Sequence, residues 1–439
     1  MKTILFEDSQ VEQLYPITTG RGAFAITCGT LRMVDLLGKI SDTLGILCRP
    51  YLEAISRHEY PEHVFGLQAI QEVLRKMPPE ENVLVVNARM VPQAGILLFL
   101  QQRASESRPS LAKWQDAVAM AVLPAAVLRE KLDVFEDGFY DLSEILLHGK
   151  WDDFSEANPT ELFDYPHDLV RNNMRIFTEN IEFRLKNAWH SRRDAEPGAE
   201  GAWREIRDGV FVGNNVSLGD YFVADTSHGP ILVDHGASIG PFCYIKGPVY
   251  IGPHSKVIEH AALKDFVGLA HTTKVGGEVE ASTIEPYTNK QHHGFLGHSY
   301  LGSWINLGAG TCNSDLKNTY GTISMTYGEG RMATAMQFHG CIIGDYSKTA
   351  INTSIFTGKI IGSCSMVYGF VTRNVPSFVN YARSFGQCTE LPVEVMCSTQ
   401  QRMFARRNVL QRPFHQELLH QMFRLTKEER QMENEPLSL

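Results

Sequence analysis

The sequence has few of the features that mark secreted, membrane or nucleic-acid-binding proteins. Its eight cysteines form no CxxC pair and no close cysteine–histidine pair, which argues against a disulfide framework and a zinc finger. Acidic residues outnumber basic ones by 50 to 41, and a net charge of -9 is unlike a nucleic-acid footprint. No apolar run reaches membrane-spanning length, and the N-terminus is unlike a signal peptide. We therefore predict a cytoplasmic protein that binds neither nucleic acid nor membrane.

A six-residue repeat runs through the sequence from Val212 to Gly369. A period of six fits neither the 3.6 residues of a helix nor the two of a half-buried strand. It is typical of a parallel β-helix, in which each turn has three short strands and each strand takes one hexad. We expect the aliphatic residues to point inward and the glycines to lie at corners that need close approach or positive φ. The repeat is marked by Val212-Gly213, Leu218-Gly219, Ile239-Gly240, Ile245, Ile251-Gly252, Val257, Leu263, Leu269, Val275-Gly276, Leu301-Gly302, Leu307-Gly308, Ile343-Gly344 and Ile361-Gly362.

The repeat is absent before Trp203, where strand-like and helix-like segments alternate. This alternation predicts an α/β, Rossmann-like domain that binds ligands beyond the carboxyl ends of its strands. Residues after Pro376 predict a helical tail of two segments, 391–410 and 414–432, which covers the last turn of the coil or packs on a neighbouring subunit. The predicted domains are residues 1–200, 201–376 and 377–439.

Two stretches of the N-terminal half are candidates for chemistry. The loop from Leu14 to Gly22 surrounds Arg21 with glycines, so its guanidinium and backbone N–H groups could bind phosphate, although the sequence alone favours a Pro/Gly turn with a solvated arginine. The strand 83–86 ends in Asn87 and Arg89, at the position where an α/β domain places its chemistry, although these residues could simply close the strand.

Two segments of the predicted coil resemble the sequence of a known family. Thr288-Asn289-Lys290-Gln291-His292 is followed, fourteen residues after the histidine, by the asparagine of Trp304–Asn313 (WINLGAGTCN). This text is similar to the acetyltransferase domain of the bifunctional N-acetylglucosamine-1-phosphate uridyltransferase/glucosamine-1-phosphate N-acetyltransferase family (GlmU). Residues 369–376 match that family's last turn, and the N-terminal half resembles a divergent form of its nucleotidyltransferase domain.

The resemblance implies a left-handed coil that assembles as a homotrimer and acetylates glucosamine-1-phosphate from acetyl-CoA. The implied catalytic residues are His292 as general base with Asn306 and Asn313. The implied acceptor-binding residues are Lys290, Phe295, Lys317 and Arg331, with Phe295 standing where the family has tyrosine. The implied acetyl-CoA-binding residues are Ala309, Gly310 and Tyr368.

For the N-terminal half, the resemblance implies uridylyl transfer from UTP to N-acetylglucosamine-1-phosphate, giving UDP-N-acetylglucosamine. Arg21, Asn87 and Arg89 would bind the nucleotide, and Asn172 and Asn173 would hold Mg²⁺. Asn87 stands where the family has a metal-binding aspartate, and an amide carries no charge to hold a hard cation.

Other interpretations stay open at this point. His292, His293 and His298 could form a merely histidine-rich segment or a metal site. The whole chain could be a nucleotidyltransferase with the coil as a trimerising scaffold. It could also be a sugar-nucleotide-binding protein without catalytic activity.

Overall fold

The computed structural model describes residues 1–106, 108–133, 135, 141–157, 159–189, 203–328 and 330–431. The predicted boundary between the first two domains, at residues 200 and 201, lies outside these ranges. The strands of the N-terminal half are Lys2–Phe6 (β1), Thr43–Leu47 (β2), Val64–Phe65 (β3), Asn82–Asn87 (β4), Ser110–Trp114 (β5), Ala117–Pro124 (β6) and Asp152–Asp153 (β7). Its α-helices are Met33–Ile40 (α1), Glu53–Glu59 (α2), Leu67–Arg75 (α3), Ile96–Ala104 (α4), Ala125–Leu132 (α5), Leu142–Leu147 (α6) and Pro166–Lys186 (α7).

These strands form one mixed sheet in the order β3-β2-β1-β4-β6-β5-β7. The buried strands β1, β2 and β4 run parallel, so Phe6 lies beside both Leu47 and Asn87 at one carboxyl edge. Helices connect the parallel strands, as they must when both faces of such a sheet are buried. The predicted α/β fold of this half is therefore confirmed.

The second half of the chain is a stack of short strands. They are Arg204–Arg207 (β8), Val210–Val212 (β9), Ser217–Leu218 (β10), Val223–Asp225 (β11), Ile231–Val233 (β12), Ser238–Ile239 (β13), Tyr244–Lys246 (β14), Val249–Ile251 (β15), Lys256–Val257 (β16), Ala262–Lys264 (β17), Val267–Leu269 (β18), Lys274–Val275 (β19), Glu278–Glu280 (β20), Thr283–Ile284 (β21), Asn289–Lys290 (β22), Phe295–Gly297 (β23), Tyr300–Leu301 (β24), Cys312–Asn313 (β25), Ser324–Tyr327 (β26), Gly330–Ala333 (β27), Cys341–Ile343 (β28), Lys348–Thr349 (β29), Ser354–Ile355 (β30), Lys359–Ile361 (β31), Met366–Val367 (β32), Phe370–Val371 (β33), Val379–Ala382 (β34) and Gln387–Glu390 (β35).

The short strands build a coil with three faces. The first face is β8-β9-β12-β15-β18-β21-β24-β28-β31, the second begins β10-β13-β16-β19-β22, and the third begins β11-β14-β17-β20-β23. β8 pairs with β9 in antiparallel orientation, and the strands that follow on each of these faces pair in parallel about one turn apart, as Ile251 pairs with Leu269. The aliphatic residues of the hexads form one buried core inside the coil. The predicted parallel β-helix is confirmed.

The glycines that follow the hexad aliphatics are required by close approach rather than by φ. A side chain on Gly252 would meet the Leu269 carbonyl oxygen at 2.5 Å, and one on Gly276 would meet the Gln291 oxygen at 2.2 Å. Positive φ falls instead on residues such as Tyr287 and Trp304 at a corner. Of the two reasons that the sequence offered for these glycines, the contact between turns is the one that applies.

The C-terminal tail packs against both other parts. Its helices are Val393–Ala405 (α8), Pro413–Leu425 (α9) and Lys427–Gln431 (α10). Proline 413 opens α9, where its missing N–H costs nothing. Phe404 of α8 packs on Trp304 of the coil at 4.5 Å between ring centroids, and Phe414 of α9 packs on His58 at 5.1 Å. One apolar cluster therefore runs from the sheet through coil residues into the tail. Within the described residues, no helix has the length and apolarity to span a membrane.

Candidate functional site

The carboxyl edge of the N-terminal sheet is filled by buried ion pairs. Arg89 is fully buried, and its Nε and Nη2 donate to the two carboxylate oxygens of Asp8 at 2.7 and 2.8 Å. Beside it, Arg49 Nε donates to Glu7 Oε2 at 3.0 Å. We call Glu7, Asp8, Arg49 and Arg89 the ion-paired edge. Its guanidinium groups are already matched by carboxylates of the chain itself.

Asn87 belongs to the same network. Its Nδ2 donates to Asp8 Oδ2 at 2.7 Å and to the Val118 carbonyl at 3.0 Å, and its Oδ1 accepts from the Arg89 backbone N–H at 2.9 Å. The structure thus brings the predicted nucleotide-binding residues Asn87 and Arg89 together, as mutual partners. The prediction that they contact a nucleotide stays a prediction.

Arg21 lies apart from these two, where the N-terminal half meets the coil. Its Nη1 lies 3.0 Å from Glu285 Oε1, and its Nη2 donates to Ser303 at 2.8 Å and to Asp345. Burial opposes the charge, but Asp345, Tyr300 and Glu285 together raise the pKa of Arg21 well above its usual range. The guanidinium therefore ties the two halves together.

A cavity of about 540 Å³ opens beside Arg21. This volume is in the range of small-molecule sites. Its wall draws on the N-terminal half, a corner of the coil and the tail, and includes Arg32, Tyr60, Tyr287, Trp304 and Phe404. The stacked rings of Tyr287 and Trp304, 4.2 Å apart, belong to the coil side of this wall.

The side-chain oxygens of the predicted metal-binding residues Asn172 and Asn173 accept hydrogen bonds from other residues of the chain. Asn173 Oδ1 accepts from the Gly29 N–H at 3.0 Å and from Thr283 Oγ1 at 3.1 Å, and Asn172 Oδ1 accepts from Arg175 Nε at 2.8 Å. Mg²⁺ prefers carboxylates and water, and within the described ranges no cluster of three or more His, Cys, Asp or Glu residues could hold a metal. These residues do not fit a magnesium site, and we derive no step through one.

On the coil, Lys290 points inward. It is 2% exposed, and its Nζ donates to the carbonyl oxygens of Gly276 at 2.6 Å and His292 at 3.0 Å. Burial lowers the pKa of this ammonium to about 8. A phosphate would have to displace these carbonyl bonds to reach it.

His292 lies at the corner between the second and third faces. Its side chain is exposed and has no hydrogen-bond partner within the described ranges. Ala309 and Gly310 lie on the next turn at this corner, where the Gly310 N–H donates to the His293 carbonyl at 3.0 Å. The predicted acyl-donor residues and the predicted base thus share a corner, while Tyr368 lies on a later turn, 40% exposed.

The two predicted catalytic asparagines lie where the faces are interrupted. Asn306 bridges Asn289 and Lys348, and so continues the second face from β22 to β29. Asn313 Oδ1 accepts from the Gly297 N–H at 2.9 Å and its Nδ2 donates to the Gly297 carbonyl at 3.0 Å, linking β23 to β25. Neither side chain hydrogen-bonds to His292 in the described structure. Phe295, next to Gly297, donates its backbone N–H to Cys312 Sγ at 3.3 Å.

A histidine that the sequence analysis named only as part of a histidine-rich segment or a metal site has the geometry of a base. His298, at the corner between the third and first faces, places Nδ1 2.8 Å from Asp315 Oδ2, and its ring stacks on Phe338 at 5.3 Å. Its side chain remains 11% exposed. A signal was present in the sequence: the 17 residues from His298 to Asp315 equal the spacing of the paired Asn289 and Asn306, which is one turn of the coil.

Three cations lie on the segments around this pair: the Gly340 N–H donates to the His298 carbonyl at 2.8 Å, and the Gly358 N–H, one residue before Lys359, donates to the Gly340 carbonyl at 2.7 Å. Lys317 follows Asp315 on the same loop, and Thr357 Oγ1, two residues before Lys359, donates to Ser314 Oγ at 2.8 Å. Burial lowers the pKa of Lys359, and the charges of Arg331 and Lys317 lower it further, as expected for cations that crowd one another. Within the described ranges neither Arg331 nor Lys359 forms an ion pair. We call His298, Asp315 and Phe338, with Lys317, Arg331 and Lys359, the His298 corner.

Comparison with known proteins relates this chain to sugar nucleotidyl transferases and to GlmU proteins. Residues 3–188 match the family model for sugar nucleotidyl transferases. The bifunctional protein GlmU of Ralstonia nicotianae is 36% identical over 123 residues, 26% of each chain. By sequence, this chain is similar to GlmU. The GlmU proteins of Baumannia cicadellinicola, 27% identical over 167 residues, and Bartonella quintana, 26% over 178 residues, match 38% and 39% of this chain.

These matches span only part of each GlmU protein, from about a quarter to a third of its length. Among solved structures, a Francisella novicida UDP-N-acetylglucosamine acyltransferase covers 52% of this chain and 82% of its own, at 11% identity and a TM-score of 0.20. A 4-diphosphocytidyl-2C-methyl-D-erythritol synthase covers 35% and 88%, at 12% identity and 0.23. The fold of this GlmU-like chain is therefore assigned from its own strand pairing. The family match confirms the predicted nucleotidyltransferase-like N-terminal half.

Proposed function

We propose that this chain is a transferase of amino-sugar nucleotide metabolism whose coil moves an acetyl group from acetyl-CoA to the amine of glucosamine-1-phosphate. The observation that carries the proposal is the placement of the family-like segments 288–292 and 304–313 on successive turns of the coil. The imidazole of His298 and three cations, of which Arg331 and Lys359 form no ion pair within the described ranges, lie on the same turns and the one that follows.

The chemistry needs an acceptor for the amine proton, charge to hold the phosphate, and room for the pantetheine arm. Ala309 and Gly310 have small or no side chains, so the corner between the second and third faces, beside His292, has room for an extended acyl donor. Lys317 and Arg331 supply positive charge for the phosphate. We keep the trimer as part of this proposal, because on a coil of this kind the donor can lie between neighbouring chains.

The test is release of free CoA from acetyl-CoA by the purified full chain. Glucosamine-1-phosphate, glucosamine-6-phosphate and unmodified glucosamine are compared at matched concentrations. We expect thiol release that depends on the amine, with glucosamine-1-phosphate the best acceptor. Absence of amine-dependent release across the panel would refute acetyl transfer, and light scattering on the same sample measures the oligomer.

A second candidate function concerns the N-terminal half. Nucleotide binding without turnover is favoured, because the predicted metal residues Asn172 and Asn173 do not fit Mg²⁺ and the cations of the ion-paired edge are already matched by carboxylates of the chain. The cavity beside Arg21 has the size for such a ligand. Calorimetry with UTP should then give binding that is the same with and without Mg²⁺, and no pyrophosphate with N-acetylglucosamine-1-phosphate. Magnesium-dependent pyrophosphate release would instead support uridylyl transfer, with the coil as catalyst or as scaffold.

A further inference from the structure

We infer that His298, oriented by Asp315, is the general base of the coil, and that Lys317, Arg331 and Lys359 hold the acceptor's phosphate beside it. This inference rests on the proposed acetyl transfer and names the part of the coil where it happens. It moves the proton-accepting group from the corner of His292 to the next corner along the third face.

The hydrogen bond to Asp315 fixes which nitrogen can act. A carboxylate only accepts, so the His298 Nδ1 at 2.8 Å carries the hydrogen and Nε2 carries the lone pair. Within the described ranges Nε2 has no partner, and 11% of the side chain reaches the surface. Base and orienting carboxylate form the pair that positioned imidazole bases use in acyl transfer. Among the residues that the structure describes, His292 has no such partner.

The surroundings hold the imidazole in place. The ring of Phe338 covers one face of the imidazole, with 5.3 Å between ring centroids. Phe338 also forms an isolated antiparallel bridge with Leu316, the residue after Asp315. The neighbouring His339 is fully buried, and burial lowers its pKa to about 3, so it stays neutral. Asn313 fixes the Gly297 peptide that precedes His298. Asn313 is therefore a positioning residue for this corner.

The reaction balances without any further reagent. The amine nitrogen of the sugar attacks the thioester carbonyl carbon as His298 Nε2 takes the amine proton. The C–S bond then breaks, the sulfur leaves with the bonding pair, and the imidazolium returns the proton to give free CoA. The products are the N-acetyl sugar phosphate and the thiol.

The cations explain why the acceptor would be phosphorylated. Arg331 and Lys359 are unpaired within the described ranges, and crowding of their charges with Lys317 costs free energy that an anion removes. Asp315 is a nearby negative group, and its Oδ2 lies 2.8 Å from His298 Nδ1. An amine and a phosphate on one small sugar can reach the imidazole and the cations together.

The test compares three asparagine variants in the CoA-release assay. His298→Asn removes the imidazole, and asparagine tolerates the φ of +46° at this position. His260→Asn is the matched control, because His260 is an exposed corner histidine with φ of +61° remote from the site. His292→Asn tests the competing base. We expect His298→Asn to lower kcat 10²- to 10⁴-fold with KM little changed, as for loss of a general base.

Added imidazole should restore part of the His298→Asn rate, which a purely structural defect would not allow. His260→Asn should keep kcat within about threefold of the wild type, and His292→Asn, at the corner proposed for the acyl donor, should lower kcat less than His298→Asn does. Asp315→Asn should lower kcat at least about tenfold, leave KM unchanged and gain little from added imidazole, because the ring is still present but misoriented.

The outcomes separate the two proposals. A wild type that releases no CoA with any amine ends the proposed function and this inference together. An active wild type in which His298→Asn retains its kcat, or in which His292→Asn alone abolishes it, overturns this inference and leaves acetyl transfer standing. Loss of rate in His260→Asn to the same degree as in His298→Asn would also overturn it.

Discussion

The ion-paired edge and the His298 corner both hold basic side chains, but the two regions differ in whether these side chains have ion-pair partners. At the edge, Arg49 and Arg89 are buried, and each is matched by a carboxylate of the chain. At the corner, Arg331 and Lys359 lie on the coil's outside without an ion-pair partner in the described ranges, and the imidazole of His298 keeps one nitrogen available. A cation marks a ligand site only where the fold leaves its charge unmatched.

The largest expected effect comes from removing an ion pair of the ion-paired edge. Arg89→Met leaves the Asp8 carboxylate buried without its charge partner, with the Asn87 amide still donating to it, so we expect a loss of about 3–5 kcal/mol in the free energy of unfolding. Urea unfolding followed by circular dichroism measures it. The matched control is Arg424→Met, which removes an exposed pair with Glu417 and should cost less than about 1 kcal/mol. Equal losses in the two variants would mean that the edge is not a closed network.

The second-largest expected effect is on phosphate binding at the His298 corner. Lys359→Met removes one unmatched cation, so KM for glucosamine-1-phosphate should rise about tenfold or more, the size of one charge-assisted bond. Unmodified glucosamine, which has no phosphate, serves as the matched acceptor, and its KM should stay within twofold. A rise of the same size for both acceptors would remove Lys359 from phosphate binding.

The smallest effect concerns a cation that the coil itself hides. The pKa of Lys290 is lowered by burial to about 8, below the ordinary lysine value of 10.5, so the folded chain loses this proton first. The unfolding free energy of the wild type relative to Lys290→Met should therefore rise between pH 8 and 10 and stay level below pH 8. The slope approaches at most about 1.4 kcal/mol per pH unit.

Chemical unfolding at a series of pH values measures this difference. Lys76→Met, at an exposed helix end, serves as the control and should show no such rise. A wild type that loses stability relative to Lys290→Met over this range would show that Lys290 is charged and stabilising in the fold, and hence available to an anion.

Much of the fold follows from local sequence patterns. A hexad aliphatic such as Ile251 is buried because the three-sided coil repeats about every 18 residues and turns the same position inward each time. The strand at 82–87 was recognisable because both of its faces are apolar. Both patterns act over a few residues, so the sequence displays them directly.

The site depends on neighbours that are distant in the chain. Arg21 is paired with Asp345, 324 residues away, and nothing near either residue in the sequence indicates the pair. The same holds for Arg89 with Asp8, and for Asn313, which closes a gap in a sheet. Residue type alone could not tell a matched arginine from an available one, since that difference is made by the partner.

The sequence by itself determined the coil, the α/β half and the helical tail, because periodic burial and turn formation depend on residues that are close together in the chain. Only the tertiary structure decided which polar groups remain available. The stacking of turns put Asp315 beside His298 and left Arg331 and Lys359 without an ion pair among the described residues, while the parallel strands met at an edge where Arg49 and Arg89 each already had a carboxylate. Electrostatic pairing is set by distances through space, which the order of residues does not contain.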